Sequence, residues 1–195
     1  MRQVSAILLA AGRSRRMGEC KQLLPLEGRP AVVRVVETLL AGGADGIVVV
    51  VNPEGMEIEA AVAGHPVTVT VNPLPDSDMA GSVRVGLSRV PAGAGGVLVC
   101  LADTPLVTAA TCRRLIHEHM RTPDAILIPT HRGRKGHPTL FPRSLIEAIH
   151  LEPTLRDLIG ANAHRVALLE VPDPGVTEDM DTPEDYRRIE GRLSR

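Results

Sequence analysis

Apolar residues fall into short continuous runs, separated by longer stretches in which they return every three or four positions. The runs at 4–10, 46–51, 67–71, 97–101, 125–129 and 166–171 suit strands. Several are apolar at successive positions, as in strands buried on both faces. The stretches at 30–40, 56–63, 82–90, 108–120, 145–150 and 154–159 have helical spacing, and 183–193 reads as a terminal helix. This alternation predicts an α/β fold: a mostly parallel sheet with helices on both faces, three layers in all. In such sheets ligands bind beyond the carboxyl ends of the strands, so the segments after the first and fourth strands matter most. Gly93, Gly95 and Gly96 predict a turn before the fourth strand. There is no internal repeat, and 195 residues suit a single domain spanning 1–195.

Composition narrows the chemistry. Lys and Arg number 22 against 23 Asp and Glu, a formal net charge of −1, so no broad basic field awaits nucleic acid or an anionic membrane. Phe141 and Tyr186 are the only Phe, Tyr or Trp residues, which leaves no stacking platform for single-stranded nucleic acid. A bound nucleobase would have to be read by backbone groups and small polar side chains. Cys20, Cys100 and Cys112 form no CxxC pair and leave an odd thiol, a pattern that argues against a disulfide scaffold and points to a reducing cytoplasm. The apolar N-terminal run is brief, is followed by an arginine cluster and lacks a cleavage-type region, so it reads as a buried strand. No stretch approaches the ~20 apolar residues of a membrane span.

After the first strand comes Leu9-Ala10-Ala11-Gly12-Arg13-Ser14-Arg15-Arg16-Met17-Gly18, then Glu19-Cys20-Lys21. It is neither a GxxxxGK[ST] loop nor a GxGxxG fingerprint. Gly12 and Gly18 allow backbone turns and close approach of amide N–H groups to a phosphate. Arg13, Arg15, Arg16 and Lys21 place four positive charges within nine residues. Arginine forks onto phosphate oxygens, and lysine supplies a compact charge for a moving phosphate. A solvated basic turn has the same composition; only the position at a strand's carboxyl end favours an anion site.

Residues 9–21 resemble the LAAGxSxRMGxxK signature of the molybdenum-cofactor nucleotidyltransferase family, with each fixed position matched. Gln22-Leu23-Leu24-Pro25 and Gly28-Arg29-Pro30 continue the likeness. The resemblance implies a Rossmann-like fold of the nucleotide-diphospho-sugar transferase type and a loop that grips a triphosphate. It assigns Arg16 and Lys21 to catalytic charge stabilisation, and Leu9, Ala10, Ala11, Gly12 and Ser14 to nucleotide contact. The guanylyl-transferring branch tends to carry Gly-Gly where this chain has Ala10-Ala11-Gly12, so Ala11 favours the cytidylyl branch and CTP.

Three further segments carry candidate chemistry. Asp78-Met79-Ala80-Gly81-Ser82-Val83-Arg84 opens a predicted helix whose N–H groups and Ser82 hydroxyl suit an anion or a base edge, although an ordinary serine cap has the same pattern. It resembles the family's GMxxSLRxGL motif, which assigns Gly81 and Ser82 to the base. Asp103 ends the fourth strand in Leu101-Ala102-Asp103-Thr104-Pro105. A carboxylate there can join phosphate oxygens and water around Mg²⁺, or cap the following turn. The likeness to the family's LGDMPLV segment, with Ala102 and Thr104 as departures, favours the metal. Asp179-Met180-Asp181-Thr182-Pro183-Glu184-Asp185 is a strong helix start in its own right. Related nucleotidyltransferases carry a similar DTPED stretch whose first aspartate completes the Mg²⁺ site. That assigns Asp181 as second metal ligand, with Asp179 as the alternative.

Gly133-Arg134-Lys135-Gly136-His137-Pro138-Thr139-Leu140-Phe141 resembles the family's RxGHPxLF loop, and His137 either orients the acceptor phosphate or bonds the loop backbone. His117 and His119 face different directions on a helix and make no zinc pair. Residues 150–175 depart from the family. Thr154-Leu155-Arg156-Asp157-Leu158-Ile159-Gly160 stands where molybdopterin-type cytidylyltransferases show a GDxGxR-like stretch.

The resemblance implies Mg²⁺-dependent in-line attack by a phosphorylated acceptor on the α-phosphorus of CTP, with release of pyrophosphate. It points to molybdopterin or the molybdenum cofactor as acceptor, and to a molybdoenzyme or its chaperone as recipient of the product. Alternatives are a sugar phosphate or other small phosphate as acceptor, GTP as donor, or a non-catalytic nucleotide-binding regulator. A glycosyltransferase on a similar fold would want Asp-x-Asp at the fourth strand end, which Asp103-Thr104-Pro105 does not supply.

Overall fold

The protein is described by a computed structural model covering residues 3–14, 16–74 and 77–194. Arg15, one of the expected loop cations, lies outside the described residues. The strands in chain order are β1 (Gln3–Leu9), β2 (Pro25–Leu26), β3 (Arg29–Pro30), β4 (Gly46–Val51), β5 (Val67–Val71), β6 (Ala94–Leu101), β7 (Ile126–His131), β8 (Arg134–Lys135), β9 (Thr139–Pro142) and β10 (Val166–Glu170). The helices are α1 (Ala31–Ala41), α2 (Met56–Val62), α3 (Met79–Leu87), α4 (Ala109–Arg121), α5 (Arg143–Ile146), α6 (Leu155–Ala161) and α7 (Pro183–Leu193).

The main sheet runs in the order β10-β7-β9-β6-β1-β4-β5, with β8 paired to β7, while β2 and β3 form a separate two-stranded ribbon. The β1–β4, β1–β6, β4–β5 and β7–β10 pairs are parallel. Val4, Ala6, Ile7 and Leu8 of β1 are all buried because helices cover both faces of the sheet. On one side Leu8, Val49 and Leu98 pack with Val36 and Leu39 of α1 and Leu115 of α4. On the other, Ile7, Val50, Val99 and Phe141 pack with Val83 of α3, Ile146 of α5 and Leu158 of α6. This is the expected three-layer α/β/α arrangement. No helix among the described residues is long and apolar enough to cross a membrane.

The structure departs from the sequence reading in four places. The segment read as a loop around His137 contains β9, a strand that runs antiparallel between β6 and β7 and pairs Val97 with Phe141 and Leu98 with Leu140. Four residues ending in proline carry too short a pattern to read as a sheet strand. Gly95 and Gly96 belong to β6 and not to a preceding turn; a Cβ at Gly96 would come within 2.6 Å of the buried His119 ring, so the glycine makes room for that imidazole. Residues 145–150 divide between the end of α5 and a 3₁₀ turn at Glu147–His150. Helix α3 starts at Met79, three residues before expectation, because Asp78 caps it by accepting from the Gly81 amide at 2.8 Å.

Candidate functional site

The loop after β1 is closed from within. Gly18 adopts φ 75°, as expected for a turn glycine, but the second left-handed residue is Ser14 at φ 49° and not Gly12. The Ser14 hydroxyl accepts from the Lys21 amide at 3.1 Å and donates to Gln22 Oε1 at 3.2 Å, while Gln22 Nε2 donates to the Gly12 carbonyl at 3.0 Å. Gln22 is 2% exposed. These bonds fix where Lys21 enters the site, so Gln22 is a positioning residue to which the sequence reading assigned no role.

Lys21 itself is 7% exposed. Its Nζ donates to Asp103 Oδ2 at 2.5 Å and to Asp181 Oδ1 at 2.7 Å, and Arg16 Nη2 reaches Asp181 Oδ2 at 2.7 Å. Burial works against the lysine's charged form, yet the two carboxylates outweigh it and hold its pKa above the ordinary lysine value. The Lys21 hydrogen bond likewise holds Asp181 below the usual carboxylate range, with Arg16 adding to the effect. The expected catalytic pair and the expected metal ligands thus form one network with no net charge.

Asp181 reaches this point because the C-terminal segment is docked across the chain. Met180 is fully buried and its N–H donates to the Asp103 carbonyl at 2.8 Å. Ile189 of α7 packs with Leu24, Leu26 and Met180, and the Tyr186 hydroxyl donates to the Pro25 carbonyl at 2.8 Å. The helix cap belongs to Thr182 and Asp185, each bonding the other's backbone. The capping explanation therefore falls away from Asp181, whose side chain is left to the site. Asp103 caps nothing either: the next turn is closed by Thr104, which donates to the Leu101 carbonyl at 3.0 Å. Asp179, the alternative second ligand, lines a separate cleft.

Beside Lys21 and Asp103 lies a cavity of about 220 Å³, lined also by Leu9, Ala11, Gly12 and Ser82. Ala10, expected in the nucleotide contact, is fully buried in the core beneath α1 and offers a ligand no surface. Ser14 lines a different cavity beyond the loop, together with Arg13, Glu19, Glu54 and Glu57. The amides of Gly81 and Ser82 are also not available, since they donate to the side chain and carbonyl of Asp78 respectively. What Ser82 presents is its hydroxyl. Asn72 is 2% exposed; its Oδ1 accepts from the Leu74 amide at 3.1 Å, which turns Nδ2 to donate to Ser82 Oγ at 3.0 Å. Ser82 Oγ is an acceptor towards Asn72, so its proton is directed elsewhere. Asn72 was not anticipated either; an isolated Asn after a strand gives no signal.

His137 stands on a second support. Its amide donates to the Val176 carbonyl at 2.8 Å, and a Cβ at Gly136 would lie 2.0 Å from that same oxygen, which no other residue could tolerate. The Val176 turn is tied to α4 by Asp173, which accepts from the Thr108 amide and hydroxyl, the Thr111 hydroxyl and the Gly175 amide. Burial pushes the His137 imidazole below its ordinary value against the opposing charges of Asp103 and Asp179, and its Nδ1 is buried with no hydrogen-bond partner among the described residues. The backbone reading of His137 has its bond in the structure, and the ring lies within the electrostatic reach of both Asp103 and Asp179.

The loop after β1 thus brings its lysine between one carboxylate that follows β6 and another that precedes α7. Residues 6–167 match the MobA-like NTP transferase domain. The chain belongs to that family.

The MobA-like chain is 29% identical to the nicotine blue oxidoreductase of Paenarthrobacter nicotinovorans over 95% of its own length and 96% of that protein's. It is 33% identical to the bifunctional protein GlmU of Xylella fastidiosa over 94% of its length, but spans only 34% of that longer protein. Among solved structures, a nucleotidyl transferase from Methanothermobacter thermautotroptrophicus superposes with a TM-score of 0.87 at 25% identity, covering 100% and 99% of the two chains. Rv0371c of Mycobacterium tuberculosis superposes at 0.83 with 31% identity over 97% and 98%, and a further structure of it is a complex with manganese. The nucleotidyltransferase class therefore rests on family, fold and site together.

Proposed function

We propose that this chain is a Mg²⁺-dependent cytidylyltransferase that joins CTP to a phosphorylated acceptor of the molybdopterin type and releases pyrophosphate. The observation that carries the reading is Lys21 held between Asp103 and Asp181 beside a cavity lined by the signature loop. The donor set suits a hard divalent cation. Two carboxylates converge on one point that already attracts a cation, and Asp103 Oδ1 is buried without a hydrogen-bond partner among the described residues. The manganese complex of Rv0371c supports the same reading.

When bound, Mg²⁺ supplies charge neutralisation across the triphosphate and acceptor. Arg16 and Lys21 exchange their carboxylate partners for phosphate oxygens. Lys21 then meets the charge that grows as pyrophosphate departs, and the protein otherwise works by positioning. Ser82, oriented by Asn72, donates to the base, and Ala11 narrows the cavity where the guanylyl branch tends to have glycine. His137 faces the acceptor side.

The test is thermal melting with CTP, GTP, ATP and UTP, each with and without Mg²⁺. Selective binding stabilises the fold by about 2.7 kcal/mol at one hundred times the dissociation constant. A Mg²⁺-dependent shift greatest for CTP is expected. A preference for another nucleotide would keep the reaction class and overturn the donor, and no shift with any of the four would sink the nucleotide reading.

A further inference from the structure

A second charged cleft opens at the same end of the sheet. It encloses about 510 Å³ between the β7–β8 hairpin and the turn at 174–179, and Arg132, Arg134, Glu178, Asp179, Arg188 and Arg192 line it. Arg192 is paired with Glu178, and Arg188 lies 2.9 Å from Asp185. The guanidinium groups of Arg132 and Arg134 have no ion-pair partner among the described residues, and both residues are exposed. With the Arg192–Glu178 and Arg188–Asp185 pairs set aside, the lining keeps Arg132 and Arg134 against Asp179, and Glu170 sits beneath the hairpin.

The hairpin that carries the two unpaired arginines is an unusual choice. His131 pairs with Arg134, so Arg132 and Gly133 form the whole turn, with φ 50° and 76°. Such two-residue turns favour Asn, Asp or Gly at the first position, where a long side chain is strained. A dedicated carboxylate holds the strained residue. Glu170 Oε1 accepts from the Arg132 amide at 2.7 Å while its other oxygen accepts from the Thr130 hydroxyl at 2.6 Å. Strain kept in place by a specific anchor, at the lip of a charged cleft, marks a position held for its side chain.

The cleft is separate from the transfer centre in its lining but joined to it along the chain. Asp179 lines it, the next residue Met180 donates its N–H to the Asp103 carbonyl, and the following one is Asp181. We propose that this cleft is the acceptor-side subsite, in which Arg132 and Arg134 bind an acidic group, a phosphate, of the acceptor. This rests on the transferase reading above and names where its second substrate is held. Paired cations on an exposed hairpin exchange water for an anion at little cost, and arginine matches phosphate through two parallel hydrogen bonds.

The test uses the full chain loaded with Mg²⁺ and a non-hydrolysable CTP analogue, so that the triphosphate loop is filled. Inorganic phosphate is then titrated by calorimetry at constant ionic strength. Wild type is expected to bind it, and Arg134→Gln to weaken binding by about tenfold. Arg132→Asn should weaken it similarly while raising the melting temperature, because asparagine is at ease in the left-handed turn. A purely structural role for Arg132 would not show that pairing of gained stability with lost binding. Equal phosphate affinity in wild type and both variants, or no phosphate binding by an analogue-loaded chain, overturns the subsite. Should the analogue fail to bind, the nucleotide reading fails separately, and the same wild-type-against-variant comparison without nucleotide still decides the cleft.

Discussion

Lys21 is 7% exposed and clamped by two carboxylates, whereas Arg134, at the same end of the sheet, is exposed and has no ion-pair partner among the described residues. The first cation had to be paired. Burying an unpaired ammonium costs several kcal/mol, so its partners are fixed and its geometry is set before any ligand arrives. The second keeps its hydration and holds no fixed partner. A ligand at Lys21 must therefore replace a whole internal network, which a metal and polyphosphate arriving together would do on the proposed reading. A ligand at the arginine cleft replaces only water and needs only charge and shape. The preorganised half suits transition-state stabilisation, and the open half suits substrate capture.

The contrast breaks most visibly at Lys21. Lys21→Ala should lower pyrophosphate release by about 10²–10³-fold, equivalent to about 2.7–4 kcal/mol, with the fold retained by circular dichroism. Near-normal turnover would reduce the network to a structural ion pair.

Next in size is Met180→Ala. Removing this buried side chain should cost about 2–3 kcal/mol by chemical denaturation. It should also shrink the Mg²⁺·CTP melting shift, because Asp181 loses its mooring. A loss of stability with an unchanged shift would show that Asp181 does not contribute to nucleotide binding.

Asp173→Asn probes the support of the open half. One oxygen of a buried four-donor acceptor becomes an amide, which should cost about 1–2 kcal/mol and speed hydrogen exchange at the His137 amide. Unchanged exchange there would disconnect Asp173 from the acceptor side.

The smallest effect is a pH dependence. The buried His137 titrates below the value it has when unfolded, so the unfolded chain binds more protons in the window beneath pH ~6.5. Stability should fall as pH drops through that window, and His137→Asn should flatten this part of the melting profile. An identical profile in the variant would place the ring in contact with solvent.

Much of this was legible in the residues. The central strands β1, β4 and β6 showed as apolar runs, since strands buried on both faces have no polar side to interrupt them, whereas the edge strand β5 alternates Val and Thr. Residue types alone marked the loop after β1 as a basic, glycine-bearing turn and Asp103 as a carboxylate at a strand end, while the roles of Arg16, Lys21 and Asp103 came from the family resemblance. Asn72 and Gln22 were missed because a buried amide that orients a neighbour has no period, and Ala10 was misassigned because a motif position does not reveal which way its side chain packs.

The sequence by itself determined the alternation of elements, the left-handed turn at Gly18 and the Thr182–Asp185 cap, all of which depend on neighbours within a few residues. Tertiary structure alone decided that β9 enters the sheet antiparallel, that Asp181 and not Asp179 joins Asp103, and that one lysine bridges carboxylates 82 and 160 residues away. Such contacts depend on where distant segments dock. Here the decisive dockings are the buried Met180 and the Tyr186 hydroxyl bond to Pro25, whose energy is realised only when the whole chain has packed.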